Sequence, residues 1–315
     1  MLSLHLHKNP FMAKFQIGIL GCGSATPSLR HQPSCQVIDI RDNLYMIDCG
    51  EGAQLQARRM KVKFSRLGHI FISHLHGDHC LGLPGLLSTL ALHQTGGSLT
   101  VHTFREGIDM FKRIMDFFCR ERTYDLRFEV IAPERATVYE NDAITVETVP
   151  LNHRVPTVGY IFREKPKPRH LNGEMVKFHD IPVSLRQSIK NGADYVKPDG
   201  AVIPNALLTT PADPVRSYAY ISDTAYYPAV IPAIQGVDLL YHEATYTDGS
   251  ADKAAQRFHS TARQAAMIAR DASVGRLLLG HYSKSYLNED EHLSEAREIF
   301  PQTIAATEGM KIDLL

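Results

Sequence analysis

Short apolar runs, bounded by polar or glycine-rich turns, recur along the chain from residue 15 to the C-terminus. Runs that are rich in β-branched residues predict strands over 15–20, 34–40, 43–48, 69–73, 99–103, 128–131, 136–139, 144–149, 217–224, 237–245, 276–283 and 303–305. The strands 34–40 and 43–48 form a hairpin across Arg41 and Asp42. Apolar residues at helical spacing predict helices over 52–63, 83–92, 106–118, 262–269 and 289–300. Because a strand end is rigid, we expect residues that bind metals or catalyse a reaction to lie where these strands end.

The segment His74-Leu75-His76-Gly77-Asp78-His79 directly follows one predicted strand. His74 and His76 are two residues apart, so in an extended backbone their imidazoles point the same way. Gly77 permits a tight turn that brings Asp78 and His79 to a second position nearby. Imidazole nitrogens and carboxylate oxygens bind zinc at about 2.0–2.2 Å. The segment therefore predicts ligands for two adjacent metal ions, and a histidine-rich surface loop is the alternative.

This HxHxDH pattern after a strand resembles the signature of the metallo-β-lactamase superfamily. The resemblance implies an α/β fold, namely an αβ/βα four-layer sandwich with a mono- or dinuclear metal site on one edge. We expect a single domain of this kind over residues 1–315. The pattern is shared by lactamases, glyoxalases, nucleases and phosphodiesterases, so the rest of the chain has to distinguish among them.

Three more candidate ligands, His153, Asp223 and His281, lie at or just beyond the ends of later predicted strands. Each of them alone is as compatible with a structural role as with metal binding. Their shared placement favours a common sandwich edge, where they would meet the HLHGDH segment. Asp48 ends an earlier strand, and we expect it to orient a ligand histidine through a hydrogen bond. Cys80, which follows His79, is either a further ligand or, as we favour, a small buried residue.

Composition and charge change this picture little. The 34 Lys and Arg balance the 34 Asp and Glu, so bulk charge gives no support for a nucleic-acid partner. The sequence lacks the ~18-residue apolar run of a membrane helix and the pattern of a signal peptide. The 5 cysteines are scattered without a CxxC pair, which predicts free thiols and a cytoplasmic protein. Residues 1–11, ahead of Met12, are interpreted as a dispensable extension.

Two segments without regular periodicity could contact phosphate groups. The Gly/Ser/Thr-rich segment 21–27 would either cradle a phosphate oxygen or form a plain tight turn, which we favour. Approximately residues 163–214 are rich in proline, which predicts an inserted, protruding arm rather than core. Its densest basic stretch contains Lys165, Lys167 and Arg169. Basic residues spaced by prolines form an extended ribbon suited to phosphates, although a solvated loop fits the composition equally well.

The order of the motifs is more specific than any one of them. Along the chain they read DCGEG, HLHGDH, LNH with GY, SDT, HEAT, HST and GHYS. From about residue 15 onward this series resembles the ribonuclease Z family, the tRNA 3′-processing endonucleases, in its short form. The stretch that carries Lys165, Lys167 and Arg169 is similar to part of that family's tRNA-binding arm. The resemblance implies precursor tRNA as the substrate and a homodimer as the assembly. It also implies cleavage 3′ to the discriminator nucleotide, which leaves a 3′-hydroxyl tRNA and a 5′-phosphate trailer.

The resemblance also implies two Zn²⁺ per chain, although Mn²⁺ and Fe²⁺ accept the same ligands. It assigns one ion to His74, His76 and His153, the other to Asp78, His79 and His281, and the bridge to Asp223. Asp78 would also accept a proton. His259 would donate one to the leaving 3′-oxygen, and Glu243 would orient His259 and keep it protonated. The alternative for His259 is a neutral residue that merely caps a helix.

Two other functions use the same motifs. A small-molecule phosphodiesterase or other hydrolase of this fold predicts a closed pocket and no basic arm. A non-catalytic RNA-binding module is disfavoured by the complete set of candidate ligands. Comparing cleavage of a trailer-bearing precursor tRNA with that of a simple phosphodiester separates the three functions.

Overall fold

The structure is a computed structural model that describes residues 14–94 and 96–314, so the extension expected at 1–11 lies outside the described residues. Two seven-stranded sheets form its main part. The first sheet contains, in spatial order, Lys311–Asp313, Phe15–Gly21, Cys35–Ile40, Asn43–Ile47, Leu67–Phe71, Ser98–Thr103 and Asp125–Val130. The second contains Thr303–Ala305, Arg276–Gly280, Leu239–Glu243, Ser217–Ile221, Val158–Glu164, Ile144–Pro150 and Thr137–Glu140.

Each sheet has a parallel half, and its strands precede the HLHGDH segment, Asp223 and His281, whereas His153 follows the strand Ile144–Pro150, which pairs antiparallel. Leu67–Phe71 lies between two parallel neighbours in the first sheet, and Leu239–Glu243 lies between two in the second. The hairpin predicted across Arg41 and Asp42 is confirmed, with φ of 48° and 65° at these residues. Positive φ at both positions is what a type I′ two-residue turn requires.

The two sheets pack face to face and helices cover them. Ile17 and Ile38 of the first sheet belong to one core with Tyr160 and Tyr220 of the second. Side chains on the other face of the first sheet, such as Met46, pack with the flanking helices in a separate core. Since successive residues of a strand point to opposite faces, one strand supplies both cores. The resulting order of helix, sheet, sheet and helix confirms the predicted αβ/βα sandwich.

Five helices of this part match the predicted ones with small shifts at their ends, and the short helices Gly77–Cys80, Ile231–Ile234 and Ala251–Gln256 were not predicted. The helices are Ala53–Arg59, Gly77–Cys80, Leu83–Leu92, Arg105–Phe118, Ile231–Ile234, Ala251–Gln256, Ala262–Asp271 and Asp290–Ile299, with short 3₁₀ turns at Phe64–Arg66, Pro228–Val230 and Asp248–Ser250. The tight turn expected at Gly77 is instead the start of a one-turn helix, because Leu81 N–H donates to the Gly77 carbonyl at 2.9 Å. Within the described residues, no helix has the length and apolar character needed to cross a membrane.

Glu164–Val215 is a compact unit of its own. It contains the helices Gly173–Phe178, Arg186–Lys190 and Asn205–Leu208, the 3₁₀ turn Val183–Leu185, and the paired strands His170–Leu171 with Thr209–Thr210 and Tyr195–Val196 with Val202–Ile203. Its buried residues Val176, Ile181, Ile189, Tyr195 and Leu208 form a small separate core. These apolar residues are widely spaced in the proline-rich sequence, so their pattern did not predict a core. The extended ribbon that was predicted is found only over residues 165–169, which have no helix or strand.

Candidate metal centre

One group of nitrogen and oxygen donors is formed by His74, His76, His153 and Asp223. Nδ1 of His76 lies 3.0 Å from Nε2 of His74 and 3.3 Å from Nε2 of His153. The Oδ2 atom of Asp223 lies 3.6 Å from Nε2 of His74 and 3.7 Å from Nε2 of His153. These four side chains come from the HLHGDH segment and two distant strand ends, and their donor atoms converge on one point.

A second group is formed by Asp78, His79 and His281. Nε2 of His79 and Nε2 of His281 are 3.4 Å apart, and they lie 3.7 Å and 3.6 Å from Oδ2 of Asp78. The other carboxylate oxygen of Asp223, Oδ1, lies 3.1 Å from His79 and 3.0 Å from His281. Asp223 thus presents one oxygen to each group, which is the geometry of a bridging carboxylate.

Hydrogen bonds from neighbouring strands orient these imidazoles. Oδ2 of Asp48 lies 2.7 Å from Nδ1 of His79, and Asp48 also accepts from the backbone N–H of Ser73 at 2.7 Å. The Phe258 carbonyl lies 3.0 Å from Nδ1 of His153. A partner on the far ring nitrogen fixes the imidazole and leaves the other nitrogen to a metal. Asp48 therefore occupies the orienting position that we expected from the sequence.

The backbone at the site adopts sparsely populated conformations. Positive φ values occur at Asp48 (56°), Asp223 (61°), Phe258 (58°) and His281 (59°), none of which is glycine. Such conformations cost about 1–3 kcal/mol each and cluster at functional sites, where the surrounding structure enforces them. At Asp48, Asp223 and His281 they turn the chain just beyond a strand, where each side chain reaches the cluster, and at Phe258 the backbone carbonyl contacts His153.

The electrostatic field at the cluster suits a cation. Burial and the nearby His79 hold the pKa of His74 well below its usual range. Burial alone would lower the pKa of His79, but the carboxylates of Asp223 and Asp48 raise it well above its usual value. Burial alone would raise the pKa of Asp223, but His281 and His79 hold it well below its usual range. An ionised carboxylate among imidazoles is a donor set that divalent metals accept, and a metal that binds here displaces the proton from His79.

Glu243 and His259 form a hydrogen-bonded pair beside the two groups, and the His259 side chain is 11% exposed. Glu243 is 0% exposed, and its Oε1 lies 2.9 Å from Nδ1 of His259 and accepts from the Thr224 N–H at 2.7 Å. Its Oε2 accepts from the Thr245 hydroxyl at 2.5 Å. Burial lowers the pKa of His259, but the charge and hydrogen bond of Glu243 raise it to about 9. Thr261, not His259, is the N-cap of the following helix, so the interpretation of His259 as a helix cap is wrong.

Three exposed basic residues, Arg154, Arg257 and Lys284, line the same pocket as Asp78 and His259. Sequence reasoning missed them, although each lies within three positions of a predicted site histidine. A neutral chain thus places positive charge around an opening that leads to the metal-binding groups. Such a rim attracts anions and, because it is solvated, does so more weakly as salt increases.

The remaining predicted residues lie outside these groups. Cys80 is buried and its Sγ donates to the His76 carbonyl, which agrees with the structural alternative. In segment 21–27 the Ala25 N–H donates to Oδ2 of Asp78 at 2.7 Å, and Ser24 and Ala25 line the same pocket, so the choice between a phosphate cradle and a plain turn stays open. In the Glu164–Val215 unit, Lys167 forms an ion pair with Glu164 at 2.8 Å, and Nε of Arg169 donates to Thr209 at 2.7 Å.

This two-sheet sandwich with histidines and aspartates gathered at its strand ends defines a protein of the metallo-β-lactamase fold. Two solved structures share the fold. Human tRNase Z, short form, matches with a TM-score of 0.68 and 23% identity, over 94% of this chain and 98% of that one. The metallo-β-lactamase fold protein YhfI from Bacillus subtilis matches with a TM-score of 0.68 and 18% identity, over 96% of this chain and 100% of that one. A family model described as Anti-Pycsar protein Apyc1 matches residues 15–165, which is less than half of the chain. Ribonuclease Z of Parabacteroides distasonis is 53% identical over 304 residues, covering 96% of this chain and 100% of that protein. The chain belongs to the ribonuclease Z family.

Proposed function

We propose that this protein removes the 3′ trailer of precursor tRNA as a metal-dependent endoribonuclease. It hydrolyses the phosphodiester 3′ to the discriminator nucleotide and leaves a 3′-hydroxyl tRNA and a 5′-phosphate trailer. The observation that carries the proposal is the convergence of all seven candidate ligands next to the hydrogen-bonded Glu243–His259 pair. Membership of the ribonuclease Z family supports the choice of substrate. The homodimer and the cytoplasmic location stay predictions.

The residues fit two divalent ions, for which Zn²⁺ is our first choice and Mn²⁺ and Fe²⁺ are alternatives. Tetrahedral metal sites with bonds of about 2.0–2.1 Å place neighbouring ligand atoms about 3.3 Å apart. The donor separations in the two groups run from 3.0 to 3.7 Å. His74, His76 and His153 would hold one ion, Asp78, His79 and His281 the other, and Asp223 would bridge them. When bound, two such ions lower the pKa of a shared water and neutralise charge on the phosphoryl oxygens.

The chain's own groups move the protons. Asp78 lines the pocket, and its carboxylate would accept a proton from the attacking water. His259, protonated because Glu243 stabilises the imidazolium, is placed to donate one to the 3′-oxygen as it leaves. Arg154, Arg257 and Lys284 stabilise the negative charge of the flanking phosphates. The tRNA body lies beyond the reach of this pocket, and Lys165, Lys167 and Arg169 of the Glu164–Val215 unit are proposed to bind it.

The test compares a trailer-bearing precursor tRNA with a small phosphodiester, using the purified protein and measuring its metal content. We expect accurate release of the trailer with 3′-hydroxyl and 5′-phosphate ends, abolished by a chelator and restored by Zn²⁺. Hydrolysis of the small ester alone would contradict the proposal and favour a small-molecule hydrolase. Binding of the tRNA without cleavage would favour a non-catalytic RNA-binding protein.

A further inference from the structure

A second cluster of metal-binding side chains lies outside the candidate metal centre. It brings together Cys22, His31 and Glu308. Cys22 follows the first strand, His31 lies in the loop after it, and Glu308 lies near the C-terminus, 286 positions from Cys22. Cys22 and His31 are 0% and 8% exposed. A thiol and an imidazole from one loop thus meet a partly buried carboxylate from the C-terminal segment.

The donor atoms of this cluster have the spacing of ligands around a single ion. Sγ of Cys22 lies 3.5 Å from Nδ1 of His31 and 3.5 Å from Oε1 of Glu308, and Nδ1 lies 3.1 Å from Oε2 of Glu308. Zinc bonds of about 2.3 Å to sulfur and about 2.0–2.1 Å to nitrogen or oxygen give tetrahedral edges of about 3.3–3.6 Å. The carbonyl oxygen of Ala306, 3.5 Å from Sγ, is an oxygen donor for a fourth position.

The surroundings orient two of these donors as metal sites do. Nε2 of His31 lies 2.9 Å from Oε1 of Glu289. Metal-binding histidines commonly donate their second ring N–H to a carboxylate, which leaves the other nitrogen unprotonated for the ion. The Gln32 N–H donates to Oε1 of Glu308 at 2.9 Å and fixes that carboxylate. His31 and Glu308 are therefore held in place before an ion arrives.

The charges also balance around a divalent cation. Burial, followed by the nearby Glu308, raises the pKa of the Cys22 thiol well above its usual value, so without an ion the thiol stays protonated. A bound cation deprotonates a coordinating thiol. The thiolate and the Glu308 carboxylate would then neutralise both charges of the ion in a buried place. The competing arrangement is an imidazolium at His31 between Glu308 and Glu289, with hydrogen bonds alone.

We propose that Cys22, His31 and Glu308 form a structural site for one divalent cation of the zinc class. The ion would fasten the loop that contains His31 to the C-terminal segment that contains Glu308. The same loop contains Ala25, whose N–H donates to Oδ2 of Asp78 at 2.7 Å. The site would therefore stiffen a loop that contacts the candidate metal centre without itself contacting substrate.

Cobalt substitution tests the proposal because the candidate metal centre offers only nitrogen and oxygen ligands. The purified protein is depleted of metal and reloaded with Co²⁺, and its near-ultraviolet absorption is recorded. A thiolate-to-cobalt charge-transfer band is expected in the wild type and should be lost in Cys22→Ser, together with one metal equivalent per chain. Cys119→Ser, which changes another buried free cysteine, is the matched control and should retain both.

A second variant guards against misfolding of Cys22→Ser. Glu308→Gln keeps an oxygen for the Gln32 N–H but removes the anionic ligand, and it should also lose the band and one metal equivalent. A wild type without the band would overturn the proposal whatever the variants do. A band that survives in folded Cys22→Ser would overturn it as well, since the thiolate would then belong to another cysteine.

Discussion

Oε1 of Glu243 lies 2.9 Å from Nδ1 of His259, and the carboxylate is fully buried. Because none of the Glu243 side chain is exposed to solvent, its charge depends on the donors around it. In the part of the chain that the structure describes, His259 is the one ionisable donor to this carboxylate, and its pKa rises to about 9 in consequence. This pair would give the pocket a protonated imidazole at neutral pH, which is the state that a general acid needs.

His259→Ala should lower kcat for precursor tRNA by about 10²–10⁴-fold, the range typical of a lost general acid. Metal content and tRNA affinity should stay at wild-type levels. His259 also lies close enough to Asp223 and His281 to be a metal ligand, so metal analysis is the deciding measurement. His93→Ala, at an exposed position, controls for the loss of a histidine. Loss of metal in His259→Ala would show that the residue binds the ion or supports the fold.

Asp223 is expected to join the two halves of the metal centre. Because Oδ2 faces the His74 group and Oδ1 faces the His79 group, Asp223→Ala removes one ligand from each. We expect metal content per chain to fall and trailer removal to be lost, as measured by elemental analysis and cleavage of precursor tRNA. Asp252→Ala, an exposed carboxylate on a helix, should change neither. Full activity with two ions bound in Asp223→Ala would refute the bridging role.

The sequence predicts the sandwich and the positions of the candidate ligands because both depend on local patterns. Apolar alternation marks the strands, and the HLHGDH segment, His153, Asp223 and His281 stand where those strands end. The folded form of residues 164–215 was missed because its few core residues are separated by prolines and polar turns. The basic rim of Arg154, Arg257 and Lys284 was missed for a different reason. Its members are brought together only by the folded chain, and no periodicity marks them.

The histidine pair His69 and His102 should make the protein sensitive to acid. Burial lowers their pKa values to about 4 and about 3, whereas an unfolded histidine titrates near 6.5. Between about pH 6.5 and 4 the unfolded chain therefore binds protons that the folded chain does not, so stability falls as pH falls. Each buried histidine contributes up to about 1.4 kcal/mol per pH unit to this slope.

The test uses His102→Phe, because the His102 ring stacks on Phe71 with 4.4 Å between centroids and 12° between planes. An aromatic replacement keeps this stacking but cannot bind a proton. Urea denaturation at pH 7 and pH 5 should show a smaller loss of stability for the variant than for the wild type. An identical loss in both proteins would mean that His102 does not titrate in this range in the unfolded chain, or is already protonated when folded.

The Glu164–Val215 unit is expected to bind the tRNA body rather than to take part in chemistry. Contacts made equally in the substrate and the transition state change KM and leave the chemical step unaltered. Changing Lys165, Lys167 and Arg169 together to Gln should therefore raise KM for precursor tRNA. Hydrolysis of a small phosphodiester should stay near the wild-type rate. Each lost phosphate contact should also flatten the salt dependence of tRNA binding, because fewer counterions are released.

The structure makes one control essential for this triple variant. Lys167 pairs with Glu164 at 2.8 Å, and the Lys167 and Glu164 side chains are only 11% and 0% exposed, so neutralising Lys167 alone could loosen the unit. Thermal denaturation of each variant measures whether the unit has loosened. A Glu164→Gln, Lys167→Gln double variant separates this loss of stability from the loss of tRNA contacts, because it removes both charges of the pair together. Lys112→Gln, at an exposed position on the helix Arg105–Phe118, controls for the loss of positive charge. Equal losses on both substrates would show that the unit supports the sandwich, and an unchanged KM would show that the tRNA is held elsewhere.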